Sequence, residues 1–204
     1  MELYDSEEDQ VLAIKDWWRD NGKAVILGGV LGLGGLFGWR FYQDSVIDAK
    51  EAASNDYAQV IELLSTDGQA ATQQAEQFIQ SNPDTEYAVL AALQLAKVQV
   101  DAGEFDPALQ QLQWAKANTK DNVIAPLINF RIARIQAQNE QFDDAISTLD
   151  TLNSSAWVGR VAELKGDILL TKGDKEGAYS AYTQAQQASD ASQDIQFKLD
   201  DLAK

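Results

Sequence analysis

Hydrophobic and polar positions divide the chain into two unequal parts. From Ala24 to Trp39 the side chains read A-V-I-L-G-G-V-L-G-L-G-G-L-F-G-W, without a charge, between Lys23 and Arg40. As a helix this run rises about 24 Å at 1.5 Å per residue, against a bilayer core about 30 Å thick. The flanks supply the remainder, with Trp17 and Trp18 before the run and Phe41 and Tyr42 after it. Aromatic rings suit the headgroup level, and long basic side chains lay their stems along apolar surface while lifting the charge to water. The pattern predicts one transmembrane helix over 22–42, with Trp17, Trp18, Lys23, Trp39, Arg40 and Tyr42 as its interface anchors. A buried core helix and a cleavable signal peptide are the competing readings. Six glycines weaken a core helix in water by about 1 kcal/mol each relative to alanine. The acidic start and the lack of a small-residue cleavage site weigh against a signal peptide.

Residues 1–10 are polar and acidic and predict a loose tail, followed by a short amphipathic helix with Val11, Ile14 and Trp18 on one face. Asn21-Gly22 predicts a break before the span. Lys15, Arg19 and Lys23 precede the span while Arg40 and Lys50 follow it, which favours a cytoplasmic N-terminus and a translocated C-terminal domain. Within the span, Gly28, Gly32 and Gly35 share a face and predict close packing on another helix, either a second copy or a different membrane protein. The competing reading is that glycine is simply common in spans.

Beyond Tyr42 the period is helical throughout. A helix is expected from Gln43 to about Ser65, stopped by Thr66-Asp67-Gly68, and another from Ala71 to Gln80, ended by Ser81-Asn82-Pro83-Asp84. A repeat follows from a small residue with a large apolar one four positions later: Ala75/Ile79, Ala108/Leu112, Ala145/Leu149 and Ala178/Tyr182, at intervals of 33, 37 and 33. Twelve residues before each alanine stand Leu63, Ala96, Ala133 and Gly166, of which the last three are small enough for two helices to cross closely. Turns fall at Ala102-Gly103-Glu104-Phe105, Asn139-Glu140-Gln141-Phe142 and Lys172-Gly173-Asp174-Lys175. This resembles the tetratricopeptide repeat, a helix–turn–helix unit of about 34 residues. The resemblance implies an all-α fold: a right-handed α-solenoid of about four helix pairs over 43–204. The first pair is degenerate at Leu63, and a last helix, Ser192 to Ala203, caps the stack with Ile195, Leu199 and Leu202.

Charge and composition narrow the function. Net charge is −16, and residues 41–204 carry 12 basic and 25 acidic side chains. Such a surface repels phosphate, so nucleic acid is not an expected partner. There are no cysteines and no histidines, which excludes Cys/His metal sites and Ser-His or Cys-His catalysis. No metal, cofactor or enzymatic activity is expected. Asp143-Asp144 and Asp200-Asp201 are adjacent and point apart on a helix, and the glycines at 28–35 lie in the span rather than in a phosphate loop. The first helices of each pair should line a concave face showing Leu93, Lys97, Phe130, Arg134, Gln138, Glu163 and Asp167. Lys97, Phe130 and Arg134 are the candidate partner groove, the two cations being exceptions in an acidic domain. The plainer alternative makes each a solvated helix residue.

With both halves read, the whole chain resembles the YfgM family of proteobacteria. The residues carrying this are Asp20-Asn21-Gly22-Lys23 at the entry of the span, Gly38 to Tyr42 at its exit, Phe130-Arg131-Ile132-Ala133-Arg134, and Lys172 to Ala178. The resemblance implies a bacterial inner-membrane protein whose repeat domain lies in the periplasm. It further implies an ancillary subunit of the SecYEG translocon working with a PpiD-type membrane-anchored chaperone on emerging secretory chains. The residues alone reach only a membrane-tethered, acidic, peptide-binding scaffold. An adaptor for envelope assembly or division, and a self-associating structural protein, remain as alternatives.

Overall fold

The computed structural model describes residues 7–202, with side chains from residue 10 onward. The first six residues of the predicted acidic tail, and Ala203 of the predicted cap, lie outside the described residues. The chain forms two compact units divided between Ala52 and Ala53, and helix α1, Glu7–Thr66, runs through that division.

In the first unit the expected break at Asn21-Gly22 is absent, and α1 continues through both residues. The Asn21 amide does not leave the helix to make a turn; its Nδ2 donates to the Trp17 carbonyl at 3.0 Å. Gly22 lies under the Trp18 indole, whose Cε2 would stand 3.2 Å from a Cβ placed there. A ring one turn earlier thus covers the backbone that a glycine exposes, which removes much of the reason for a helix to end there. Among the described residues, none of the apolar window within α1 is buried, and it is long and apolar enough to cross a membrane. The reading of this stretch as a core helix is therefore not borne out.

The second unit begins with the last turns of α1, which bury Ala53, Val60 and Leu64. After a short 3-10 turn over Gly68–Ala71 come α2 (Thr72–Ser81), α3 (Glu86–Asp101), α4 (Phe105–Asn118), α5 (Ile124–Gln138), α6 (Phe142–Asp150), α7 (Val158–Thr171), α8 (Lys175–Gln187) and α9 (Ile195–Leu202). The pairs α3/α4, α5/α6 and α7/α8 are the predicted repeats. Every member of the small/large series is buried: Ala75, Ile79, Ala108, Leu112, Ala145, Leu149, Ala178 and Tyr182 are each 4 % exposed or less. Ala96, Ala133 and Gly166 lie buried in the facing first helices. Small residues on one helix admit large ones from the next, and each leucine so covered contributes about 2 kcal/mol. The core passes along the stack in three clusters, the first reaching from Val60 to Ile135, the second built on Ala133, Ala145, Leu149, Val161 and Ile168, and the last holding α9 through Ile195 and Leu199.

The first pair departs from this plan as the sequence implies. Leu63, at the crossing position, is 36 % exposed. It stays out of the core, and Tyr57 packs inside instead, its ring 6.4 Å from Phe78 and 5.5 Å from Tyr87.

The three turns within the pairs α3/α4, α5/α6 and α7/α8 share one geometry. The residue after the C-cap adopts a left-handed backbone, with φ 79° at Gly103, 60° at Glu140 and 84° at Gly173. The amide of the following residue closes a six-residue loop: Glu104 donates to Gln99, Gln141 to Gln136, and Asp174 to Leu169, at 2.8, 2.8 and 2.9 Å. This is the Schellman arrangement, which satisfies carbonyls orphaned at a helix end. Only the middle turn uses a residue with a Cβ, at a cost of about 1–2 kcal/mol. Glu140→Gly is therefore expected to stabilise the domain by about 1 kcal/mol, part of the relieved strain being offset by the extra freedom of glycine in the unfolded chain. Thermal unfolding of the full chain in mild detergent should show a midpoint roughly 3 °C higher; an unchanged or lower midpoint would contradict the strain argument.

Candidate partner groove

The first helices of the pairs carry the predicted groove residues, and the structure sorts them. Between α3 and α5 lies a cleft of about 400 Å³ lined by Lys97, Asp101, Arg131, Arg134 and Gln138 over Ala96, Val100, Phe105, Leu112 and Ile135. Lys97, Arg134 and Gln138 are thus brought together as the repeat interval implies. Arg134 and Gln138 also line the next depression along the stack, with Phe142, Leu164, Asp167 and Thr171.

Phe130 does not join them. Its ring packs 5.3 Å from Trp157 in the cluster around Leu149, and the Arg160 guanidinium lies 5.1 Å from that Trp157 ring. Leu93 is also buried, at 6 % exposure. Glu163 and Asp167 face the cap: Lys198 of α9 reaches Glu163 at 2.9 Å and Asp167 at 2.6 Å. Asp167 also accepts from the Tyr182 hydroxyl at 2.7 Å. Burial works against the Lys198 ammonium, but its hydrogen bonds to the two carboxylates and their charges outweigh that and raise its pKa. Burial, followed by the bond to Asp167, pushes the Tyr182 phenol well above its ordinary range, so it remains a donor. This part of the predicted face is an intramolecular tie between the cap and the last repeat.

Arg131 is the cleft residue that the sequence reading passed over. It stands three residues before Arg134, so helical spacing sets both on one side of α5. Its Nη1 donates to the Leu93 carbonyl at 3.3 Å, fastening α5 to α3. Burial and then the Arg134 charge hold its pKa below the ordinary arginine value; a guanidinium stays protonated even so. Lys97 pairs with Asp101 at 2.8 Å, both more than half exposed, a contact worth little in water. Arg134 makes no hydrogen bond or ion pair among the described residues.

The predicted interface residues stand outward along α1. Trp17, Trp18, Trp39 and Tyr42 are all more than half exposed, and Lys23 and Arg40 are exposed as well. Trp18 and Trp39 are separated along the helix by about 32 Å, close to the thickness of a bilayer core. Beyond the backbone of their own helix, Gly28, Gly32 and Gly35 meet nothing among the described residues: a Cβ at any of them would find no other atom within 4 Å.

Stacked helix pairs, small residues at the α3/α4, α5/α6 and α7/α8 crossings and a shared turn geometry define a tetratricopeptide-type helical repeat protein. Residues 15–204 match the family described as tetratricopeptide repeat-like domain. The chain is 40 % identical over 182 residues to the "Ancillary SecYEG translocon subunit" of Escherichia coli strain K12, covering 89 % of this chain and 88 % of that one. It is 37 % identical to the protein of the same name from Haemophilus influenzae, covering 89 % of each chain. The chain belongs to the YfgM family, that of the ancillary SecYEG translocon subunits. Among solved structures, MamA of Desulfovibrio magneticus RS-1 superposes with a TM-score of 0.59 at 11 % identity, over 74 % of this chain and 83 % of that one. Pseudomonas aeruginosa pilF gives 0.56 at 18 %, over 75 % and 68 %. At these identities the likeness is one of fold.

Proposed function

We propose that this protein is a membrane-anchored repeat scaffold acting as an ancillary subunit of a SecYEG translocon in the bacterial inner membrane. Residues 1–21 lie in the cytoplasm, 22–42 span the membrane, and 43–204 stand in the periplasm. There the repeat domain binds a PpiD-type chaperone or emerging secretory chains, with Lys97 and Arg134 at the contact. The role is binding rather than catalysis. The observation that carries this reading is identity of 37–40 % to ancillary translocon subunits over about nine-tenths of the chain. The exposed apolar stretch supports the anchor. Tethering matters because a weak groove held near its target on a short link sees an effective concentration in about the millimolar range.

Photo-crosslinking in intact membranes tests this, with a photoreactive residue at position 29 or at position 134. Translocon subunits captured from 29, and a chaperone or nascent chains from 134, are the expected result. Self-crosslinks alone from 29 with nothing from 134 would replace the reading with a self-associating structural protein. Non-translocon envelope proteins at both positions would favour the adaptor.

A further inference from the structure

The cleft between α3 and α5 runs against the charge of the molecule around it. The whole chain has net charge −16, yet this cleft gathers Lys97, Arg131 and Arg134 with Asp101 as its single carboxylate. Asp101 is taken by Lys97. Arg131 spends one donor on the Leu93 carbonyl and meets no carboxylate among the described residues, and Arg134 meets none either. The Arg131 and Arg134 charges also work against each other, which adds to the effect of burial on Arg131. An arriving anion relieves that repulsion, and the desolvation of Arg131 has already been incurred in folding. Beside the two guanidinium groups the wall is apolar, with Val100 and Phe105 part-exposed.

We propose that this cleft binds an extended peptide segment bearing a carboxylate side chain next to a bulky apolar one, the carboxylate held by Arg131 and Arg134 and the apolar side chain laid on Val100 and Phe105. This names the ligand chemistry of the groove and rests on reading the repeat domain as a protein-binding scaffold. Planar guanidinium groups match carboxylates through paired hydrogen bonds. The surrounding acidity works as a filter. A polyanion such as nucleic acid or an anionic lipid surface meets repulsion over its whole length, whereas one or two carboxylates on a thin strand meet mainly the local field. The apolar wall excludes water from one side of the pair, where Coulomb attraction is least screened.

The test uses the full chain in mild detergent and short fluorescein-labelled peptides read by anisotropy: one of glutamates interleaved with leucine and phenylalanine, its glutamine counterpart and its lysine counterpart. The glutamate peptide is expected to bind about tenfold tighter than the glutamine one, the factor that one charge-assisted contact supplies. The preference should shrink as salt is raised. Arg134→Glu, at an exposed site with no partner to lose, should abolish the preference with unchanged thermal unfolding. Equal binding of the glutamate and glutamine peptides, or an unaltered preference in Arg134→Glu, overturns the proposal. Displacement of the glutamate peptide by inorganic phosphate or by anionic lipid vesicles as readily as by unlabelled peptide overturns it too. In each of those cases proteins still crosslinked from position 134 leave the scaffold reading standing. Failure of all three peptides together with no crosslink from 134 removes both.

Discussion

Gly166→Ala is expected to destabilise the repeat domain by about 3 kcal/mol, lowering the unfolding midpoint of the full chain in detergent by roughly 10 °C. Helix propensity predicts the opposite sign, since alanine in the interior of a helix is better than glycine by about 1 kcal/mol. Contact geometry decides the outcome. A Cβ at Gly166 would overlap the Cε1 and Cδ1 carbons of Tyr182 and lie 3.1 Å from its Cζ. The ring cannot swing clear, because Tyr182 is 1 % exposed and its hydroxyl is tied to Asp167. The lack of a side chain at Gly166 is therefore what lets the Tyr182 ring of α8 lie against α7. In a Tyr182→Ala background the same change is expected to be neutral or slightly stabilising, because the clash is gone and propensity remains. A loss of stability of equal size in both backgrounds would show that the Tyr182 ring is not the obstacle.

Gly28→Leu combined with Gly32→Leu is expected to abolish co-purification of the protein with its membrane partners while leaving thermal unfolding of the repeat domain unchanged. The second half of that expectation comes from the absence, beyond the helix's own backbone, of any atom of the described residues within 4 Å of either added Cβ. Leucine there disturbs no internal contact and is the better helix former. The first half comes from membrane energetics. Lipid offers no hydrophobic gain for helix association, so packing depends on backbones approaching closely over small residues. Two leucines on that face hold a partner helix away by the width of a side chain. Unchanged co-purification of the double variant would remove the glycine face from the mechanism and leave the anchor as a tether alone.

Most of the repeat fold was legible from residue spacing. The alanines at 75, 108, 145 and 178 and their partners four residues on are buried as the pattern requires. The turn at Glu140 was legible too, because its register matches Gly103 and Gly173, which share its left-handed backbone. The misreadings have specific causes. Asn21-Gly22 carries a turn signal, but the Trp18 ring covers the exposed backbone and the helix continues. Phe130 falls on a first helix at groove-like spacing, yet Trp157, which lies just before α7, takes its ring. Glu163 and Asp167 share the groove register and are engaged by a lysine 31 or more residues away. In each tertiary case the side chain's neighbour comes from a segment distant in sequence, and no local pattern encodes it.

The sequence by itself determined the elements and their order: one apolar helix, then small and large residues alternating at helical period through paired helices. Both rest on local physics, the chain's need to satisfy its own backbone and the size of a side chain at a crossing. The tertiary structure alone decided which charges are free. Asp190, beyond α8, accepts through its two carboxylate oxygens from the Gly159 and Arg160 amides at the start of α7, at 2.7 and 3.2 Å. Lys198 consumes the two carboxylates at the end of the stack, and Arg131 and Arg134 are left facing a cleft. Charges pair through space, by a distance law that does not respect sequence separation, so the site emerges only once the helices are stacked.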